Sequence, residues 1–133
     1  MKRKFDFNDI TLIPEVISKI SSRKEIDIYN KNGRLPLMVS PMDTVIDTSN
    51  ISKFYENKFE VCFPRGVDSF YNGFKSISLD DFEDIIEGRK KCTSKILVDI
   101  ANGHMERLYD LCLRYVELQP NLDFMIGNIA NPK

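Results

Sequence analysis

Along the chain, short apolar runs alternate with stretches in which apolar residues recur every three or four positions. The runs Leu35 to Val39, Phe59 to Phe63, Phe74 to Leu79, Lys95 to Ile100 and Asp123 to Ile126 are each bounded by Gly, Pro, Asn, Asp or Ser, as strands are. Most lack polar alternation, which predicts strands covered on both faces. Helices fit between them at Thr48 to Asn57, Asp80 to Arg89 and Gly103 to Leu118. In the last, Met105, Leu108, Tyr109, Cys112, Tyr115 and Val116 form one apolar stripe at helical spacing, expected to face the core. Asp80 with Glu83 three residues on reads as a capping box with Asp as the cap, so neither acid needs a catalytic explanation. Pro120 and Asn121 end the third helix. The repeated strand-helix unit predicts an α/β fold, a parallel sheet joined by crossover helices, spanning residues 35–133 after an N-terminal segment, residues 1–34.

The 133 residues suffice for one domain or a piece of one. Nineteen basic against twenty acidic side chains give no electrostatic footprint for nucleic acid or an anionic membrane. No apolar stretch reaches the roughly 18 residues of a membrane span. The basic start Met1-Lys2-Arg3-Lys4 leads into Phe-Asp-Phe-Asn rather than a signal core, so a cytoplasmic location is expected. Cys62, Cys92 and Cys112 are far apart and form no C-x-x-C or Cys/His cluster; they read as reduced structural thiols, and no metal site is expected.

In parallel sheets and barrels, chemistry sits at the C-terminal ends of the strands. Those ends read Ser40-Pro41-Met42-Asp43, Pro64-Arg65-Gly66, Ser78 to Asp80, Asp99 to Gly103, and Gly127-Asn128. Small and polar residues gather there while the strand bodies stay apolar. This suits a small-molecule site, although loops are polar in any fold.

Five segments together resemble the IMP dehydrogenase and GMP reductase family. They are Phe5-Asp-Phe-Asn-Asp-Ile-Thr-Leu-Ile-Pro14, Ser22-Arg23, Leu35-Pro-Leu-Met-Val-Ser-Pro-Met-Asp-Thr-Val45, Ile96-Leu-Val-Asp-Ile-Ala-Asn-Gly-His104 and Met125-Ile-Gly-Asn-Ile129. Their order and approximate spacing follow the family across essentially the whole chain. The resemblance implies a partial (β/α)8 TIM barrel, about the first five strands, since a complete barrel takes about 250 residues.

Carried over residue by residue, the resemblance implies substrate-nucleotide contacts for Ser40 and Met42, with Asn128 facing the same pocket. It implies contacts to the nicotinamide-ribose end of a cofactor for Asp99, Ile100 and Ala101, and cofactor contact from a neighbouring subunit for Ser22 and Arg23. Read alone, Ser40-Pro41 could only shape its loop, Asp99 could tie down backbone N–H groups, Asn128 could cap a strand end, and Ser22-Arg23 could be ordinary surface. Phe63-Pro64-Arg65 departs from the lysine-histidine pair common in the reductases at that loop. His104, the only histidine, is given no role.

The Ser-Arg pair, the Asp-Ile-Ala-Asn-Gly loop and the lack of a regulatory insert after the second strand favour GMP reductase, which converts GMP to IMP and ammonia with NADPH. The Ser-Pro-Met form of the first loop favours the alternative, IMP dehydrogenase, which oxidises IMP to XMP with NAD. In the family, the glycine-rich loop with the nucleophilic Cys, the monovalent cation site, the phosphate loops and the flap follow the position of Asn128. The chain is therefore expected to be inactive alone, with no catalytic residue of its own, and to partner a purine nucleotide and either the C-terminal half or a second copy. A non-catalytic half-barrel that binds a nucleotide or an intact homologue is the competing class.

Overall fold

The computed structural model describes residues 7–67, 70–92 and 95–129; Phe5 and Asp6, at the head of the first motif, lie outside them, as do the basic residues 1–4. Five strands, β1 (Met38–Val39), β2 (Glu60–Phe63), β3 (Phe74–Ile77), β4 (Ile96–Asp99) and β5 (Phe124–Gly127), form one parallel sheet in the order of the chain. The helices are α1 (Ile51–Glu56), α2 (Leu79–Ile86) and α3 (Glu106–Leu118). The arrangement is half of a (β/α)8 barrel, and all five strands match the runs read from the sequence.

Residues paired across a parallel ladder share a face. On the helix-facing side, Val39, Val61 and Phe63 pack with Ile46 and Ile51, while Ile96 and Val98 pack with Phe82, Leu108, Leu111 and Tyr115. Phe82, Val98 and Leu108 are completely or almost completely buried, each burial worth about 1.5–3 kcal/mol. The rings of Phe82, Tyr115 and Phe124 lie 5.0–6.2 Å apart, within the range where aromatic pairs attract. The inner face carries a smaller cluster, Cys62, Phe74 and Leu97 with Met125 against it.

Several boundaries and contacts differ from the sequence reading. The first strand is only Met38–Val39, because the Leu35 N–H is drawn to the Lys58 carbonyl at 2.7 Å and Pro36 has no N–H to give. Thr48 to Asn50 form a turn in which the Asp47 carboxylate accepts from the Ser49 N–H at 2.7 Å, so α1 starts at Ile51. The capping box is Ser78 with Asp81, not Asp80 with Glu83: the Ser78 hydroxyl accepts from the Asp81 N–H at 3.0 Å and the Asp81 carboxylate accepts from the Ser78 N–H at 3.3 Å. Asp80 and Glu83 instead pair with Arg107 of α3. The buried line of α3 is Leu108, Leu111 and Tyr115, with Met105 and Cys112 packed beside it; Tyr109 and Val116 are exposed, which corrects the stripe by one residue.

The crossover from β2 to β3, residues 64–73, has no helix among its described residues. It returns to the sheet at Gly73, where a Cβ would stand 2.5 Å from the Val61 carbonyl oxygen. Only glycine permits that approach.

Candidate functional site

Parallel pairing places the C-terminal ends of all five strands at one rim, and the loops there are tied to one another. After β4, the Ile100 N–H donates to the Gly127 carbonyl at 2.8 Å, and the Asn128 N–H donates back to the Ile100 carbonyl at 2.6 Å. The Gly103 N–H donates to the Asn128 carbonyl at 2.8 Å. A Cβ on Gly103 would lie 2.6 Å from that same oxygen, so this rung depends on glycine. From the end of β2, the Arg65 guanidinium donates to the Asp99 carbonyl. Three strand ends are thereby joined around the Asp99 to Ala101 segment, with the half-buried Asp99 side chain facing inward with Leu97 by strand alternation.

One rung back on that face, the Ser76 hydroxyl is 6% exposed and has no hydrogen-bond partner among the described residues. Leaving such a group unsatisfied costs about 1–3 kcal/mol, and it asks for an explanation in a native fold. An inner face that receives a polar group at this rim supplies one.

Of the residues singled out from the sequence, Asp99, Ile100, Ala101 and Asn128 are brought together. Ser40 and Met42 share the rim but stand across β2 and β3 from Asp99, about 14 Å away at the usual strand spacing. The Met42 side chain is exposed, and its carbonyl accepts from the Val45 and Ile46 N–H groups at 2.8 and 2.9 Å. Ser22 and Arg23 lie in an exposed 3-10 turn whose hydrogen bonds are local: the Ser22 hydroxyl accepts from the Lys24 N–H at 3.3 Å and the Arg23 carbonyl accepts from the Ile26 N–H at 3.3 Å. His104 is exposed. The Arg65 contact was not legible from any motif; only its position at a strand end pointed to the rim.

Cys62 and Cys112 are poorly suited to attack. Burial pushes the Cys62 thiol up to about 11, with Asp99 and Glu60 adding to the shift. Burial does the same to Cys112, up to about 11. Both are neutral near pH 7. The Cys92 sulfur lies 3.7 Å from the Tyr115 hydroxyl, whose own pKa is raised first by burial and then by Cys92. Among the described residues no group of His, Cys, Asp and Glu could hold a metal ion, and no helix is long and apolar enough to cross a membrane.

No protein-family model matches the chain. It is 26% identical over its whole length to a GMP reductase of Oceanobacillus iheyensis, covering 46% of that protein. It is 28% identical over 97% of its length to a GMP reductase of Lactobacillus gasseri, covering 45%. These similarities support the IMP dehydrogenase and GMP reductase family for this chain. The matches fall on the N-terminal part of the family barrel, and the chain spans about half the length of the curated relatives it matches. Its fold is also that of a crystal structure of IMP dehydrogenase from Legionella pneumophila, with a TM-score of 0.67 over 94% of this chain and 44% of that one, at 17% identity.

Against the family frame, the rim offers the kind of groups that hold a nucleotide. The Asp99 carboxylate can accept from ribose hydroxyls, the Ser40 hydroxyl can donate or accept, and the Met42 thioether can lie against a purine. The unsatisfied Ser76 hydroxyl one rung below Asp99 is consistent with a polar occupant.

Proposed function

We propose that this chain forms the N-terminal half of a purine-nucleotide oxidoreductase barrel, of the GMP reductase type in preference to IMP dehydrogenase. The reaction would be GMP and NADPH to IMP, ammonia and NADP; the dehydrogenase alternative uses IMP and NAD and forms XMP. The observation that carries the reading is the tied rim, in which the Asp99 to Ala101 segment is held by Asn128 from β5 and by Arg65 from β2. The GMP reductase relatives, aligned over nearly the whole chain, favour that branch. Asp99, Ile100 and Ala101 would hold the cofactor's ribose end; Ser40, Met42 and Asn128 would face the substrate; Ser22 and Arg23, displayed on the exposed N-terminal segment, would reach a neighbouring subunit's cofactor. The covalent step needs a thiolate nucleophile, and Cys62 and Cys112 are held neutral by burial. None of the three cysteines lies in a glycine-rich loop like the one that carries the family's nucleophile, and on this reading the chain is inactive until joined by the remaining strands.

Turnover tests this. The chain alone is expected to oxidise no NADPH with GMP and to reduce no NAD with IMP. Supplied in trans with a polypeptide carrying the remaining strands of the family barrel, it should gain activity, and Asp99→Ala should then raise the KM for NADPH tenfold or more while leaving GMP binding nearly unchanged. That factor is what losing a hydrogen bond to a charged group, about 1.5–3 kcal/mol, implies. Turnover by the chain alone that disappears on mutating Cys62, Cys92 or Cys112 would overturn the proposal, and equal loss of cofactor and nucleotide binding in Asp99→Ala would make Asp99 structural.

A further inference from the structure

In a parallel sheet the N–H and C=O of one residue point to the same side, and successive residues alternate. At the end of β4, Ile100 uses both groups on β5, donating to the Gly127 carbonyl and accepting from the Asn128 N–H. Asp99 therefore directs its carbonyl the other way, toward β3. On that side the ladder runs from the Lys75 N–H, which donates to the Lys95 carbonyl at 2.9 Å; continued in the same register, it would bring the Leu79 N–H to the Asp99 carbonyl. Leu79 is instead the first residue of α2. The capping box of Ser78 and Asp81 turns the chain out of the sheet, and the last pair that β3 makes with β4 is Ile77 with Val98. The ladder thus runs out at the Asp99 carbonyl, where the rim segment begins.

Arg65 takes the place of the absent donor. It sits in a four-residue turn closed by the Val67 N–H, which donates to the Pro64 carbonyl at 3.2 Å. Gly66 supplies a φ of 77°, the positive value that a type II turn requires at that position. Both ends of the turn are anchored, since Pro64 is buried and Val67 packs against the cluster of Val39, Ile46 and Phe63. From this fixed corner the guanidinium reaches past β3 and donates to the Asp99 carbonyl. Its planar fork of donors keeps a direction that a lysine ammonium does not. The ties from β5 run between main-chain groups; this one depends on a side chain.

We infer that Arg65 is a positioning residue for the cofactor: it supplies the rung that β3 cannot, and holds the Asp99 to Ala101 segment from the β2 side as β5 holds it from the other. The inference rests on the reading of that segment as the cofactor's ribose contact. A segment held on both sides is ordered before its ligand arrives, which removes an ordering cost from binding. The loop that departs from the reductases' lysine-histidine pair thus serves the cofactor through the neighbouring segment.

The test replaces Arg65 in the full chain by Met, which keeps an apolar stem and removes the donors, and by Lys, which keeps one charged donor group. Arg65→Met should speed hydrogen exchange of the Ile100 and Asn128 amides about tenfold and leave the Val61 and Tyr115 amides unchanged; Arg65→Lys should recover part of the protection. Arg89→Met, which breaks an exposed pairing with Asp84, should change none of them. With the polypeptide carrying the remaining strands supplied in trans, Arg65→Met should raise the KM for NADPH about tenfold, as loss of a hydrogen bond from a charged group implies. The kcat and the KM for GMP should stay within about twofold, and Arg65→Lys should fall between. Unchanged exchange at Ile100 and Asn128, or an equal rise in both KM values, overturns the inference. Turnover by the unaltered complemented protein that Arg65→Met leaves untouched removes the inference alone, whereas no turnover by the unaltered protein removes the cofactor reading and this inference with it. Should the Met variant fail to fold, the Lys variant decides by the same two readings.

Discussion

Asp99, Ser76 and the cysteines show how far single residues can be read before their surroundings are known. Asp99 was legible as a loop acid at a strand end; that its carbonyl holds Arg65 was not, since the contact reaches across β3. Ser76 gave no signal at all in a run that reads as plain strand, and its meaning comes only from burial without a partner. For the thiols, sequence spacing pointed to structural groups, and burial supplies a measurable consequence. Cys62 and Cys112 have folded-state values raised from 9.0 to about 11, so the folded state favours the protonated thiol. The associated stability is fully present below about pH 9 and is lost as pH rises toward 11. Urea unfolding at pH 7.5, 9 and 10.5 should show a declining midpoint across the last interval. Replacing both residues by Ser or Ala should flatten that part of the profile, whatever it does to the absolute stability; an unchanged slope in the double variant would assign the decline to other groups.

Among the elements, strands were easier to read than helix faces. The five apolar runs stand out because each is short, dense and bounded by turn residues, and all five became strands within a few residues. Helix α3 is different: Leu108, Tyr109, Leu111, Cys112, Leu113, Tyr115, Val116 and Leu118 are apolar over most of its circumference, so periodicity alone could not choose which line is buried. At the start of α2, Ser78, Asp80 and Asp81 are all competent caps, and the choice fell to the residue where the chain leaves β3 in extended conformation, Ser78 at φ −77 and ψ 169. Ser78→Ala should therefore lower stability by about 1 kcal/mol, while Asp80→Ala, which loses only an exposed pairing with Arg107, should change it by less than about 0.5 kcal/mol. Chemical denaturation of the two variants distinguishes the caps, and a larger loss for Asp80→Ala would restore the box read from sequence.

For the whole molecule, the surface is too large for its mass. A compact monomer of 15.4 kDa should expose about 7,200 Å², whereas this chain exposes 10856 Å², about half as much again. The excess is apolar in telling places. Leu12, Ile13, Val16 and Ile17 on the N-terminal segment are more than 85% exposed, and Tyr109, Leu113 and Val116 form a second line on α3 at 50–64% exposure. The sheet adds two edges, since β1 and β5 stand at its ends, and unpaired strand edges recruit other strands. A closed barrel would remove both edges. Burying apolar area gains about 25 cal/mol per Å², and a standard interface needs only about 1,200–2,000 Å² in total, so association is within reach of the exposed surface. At micromolar concentration the purified chain should accordingly sediment as a dimer or larger species that dissociates on dilution. Adding a polypeptide that carries the remaining barrel strands should replace this self-association with a one-to-one complex. A compact monomer that unfolds cooperatively and ignores the added strands would refute the half-barrel's need for a partner, and would mean that the exposed lines fold back onto the chain itself.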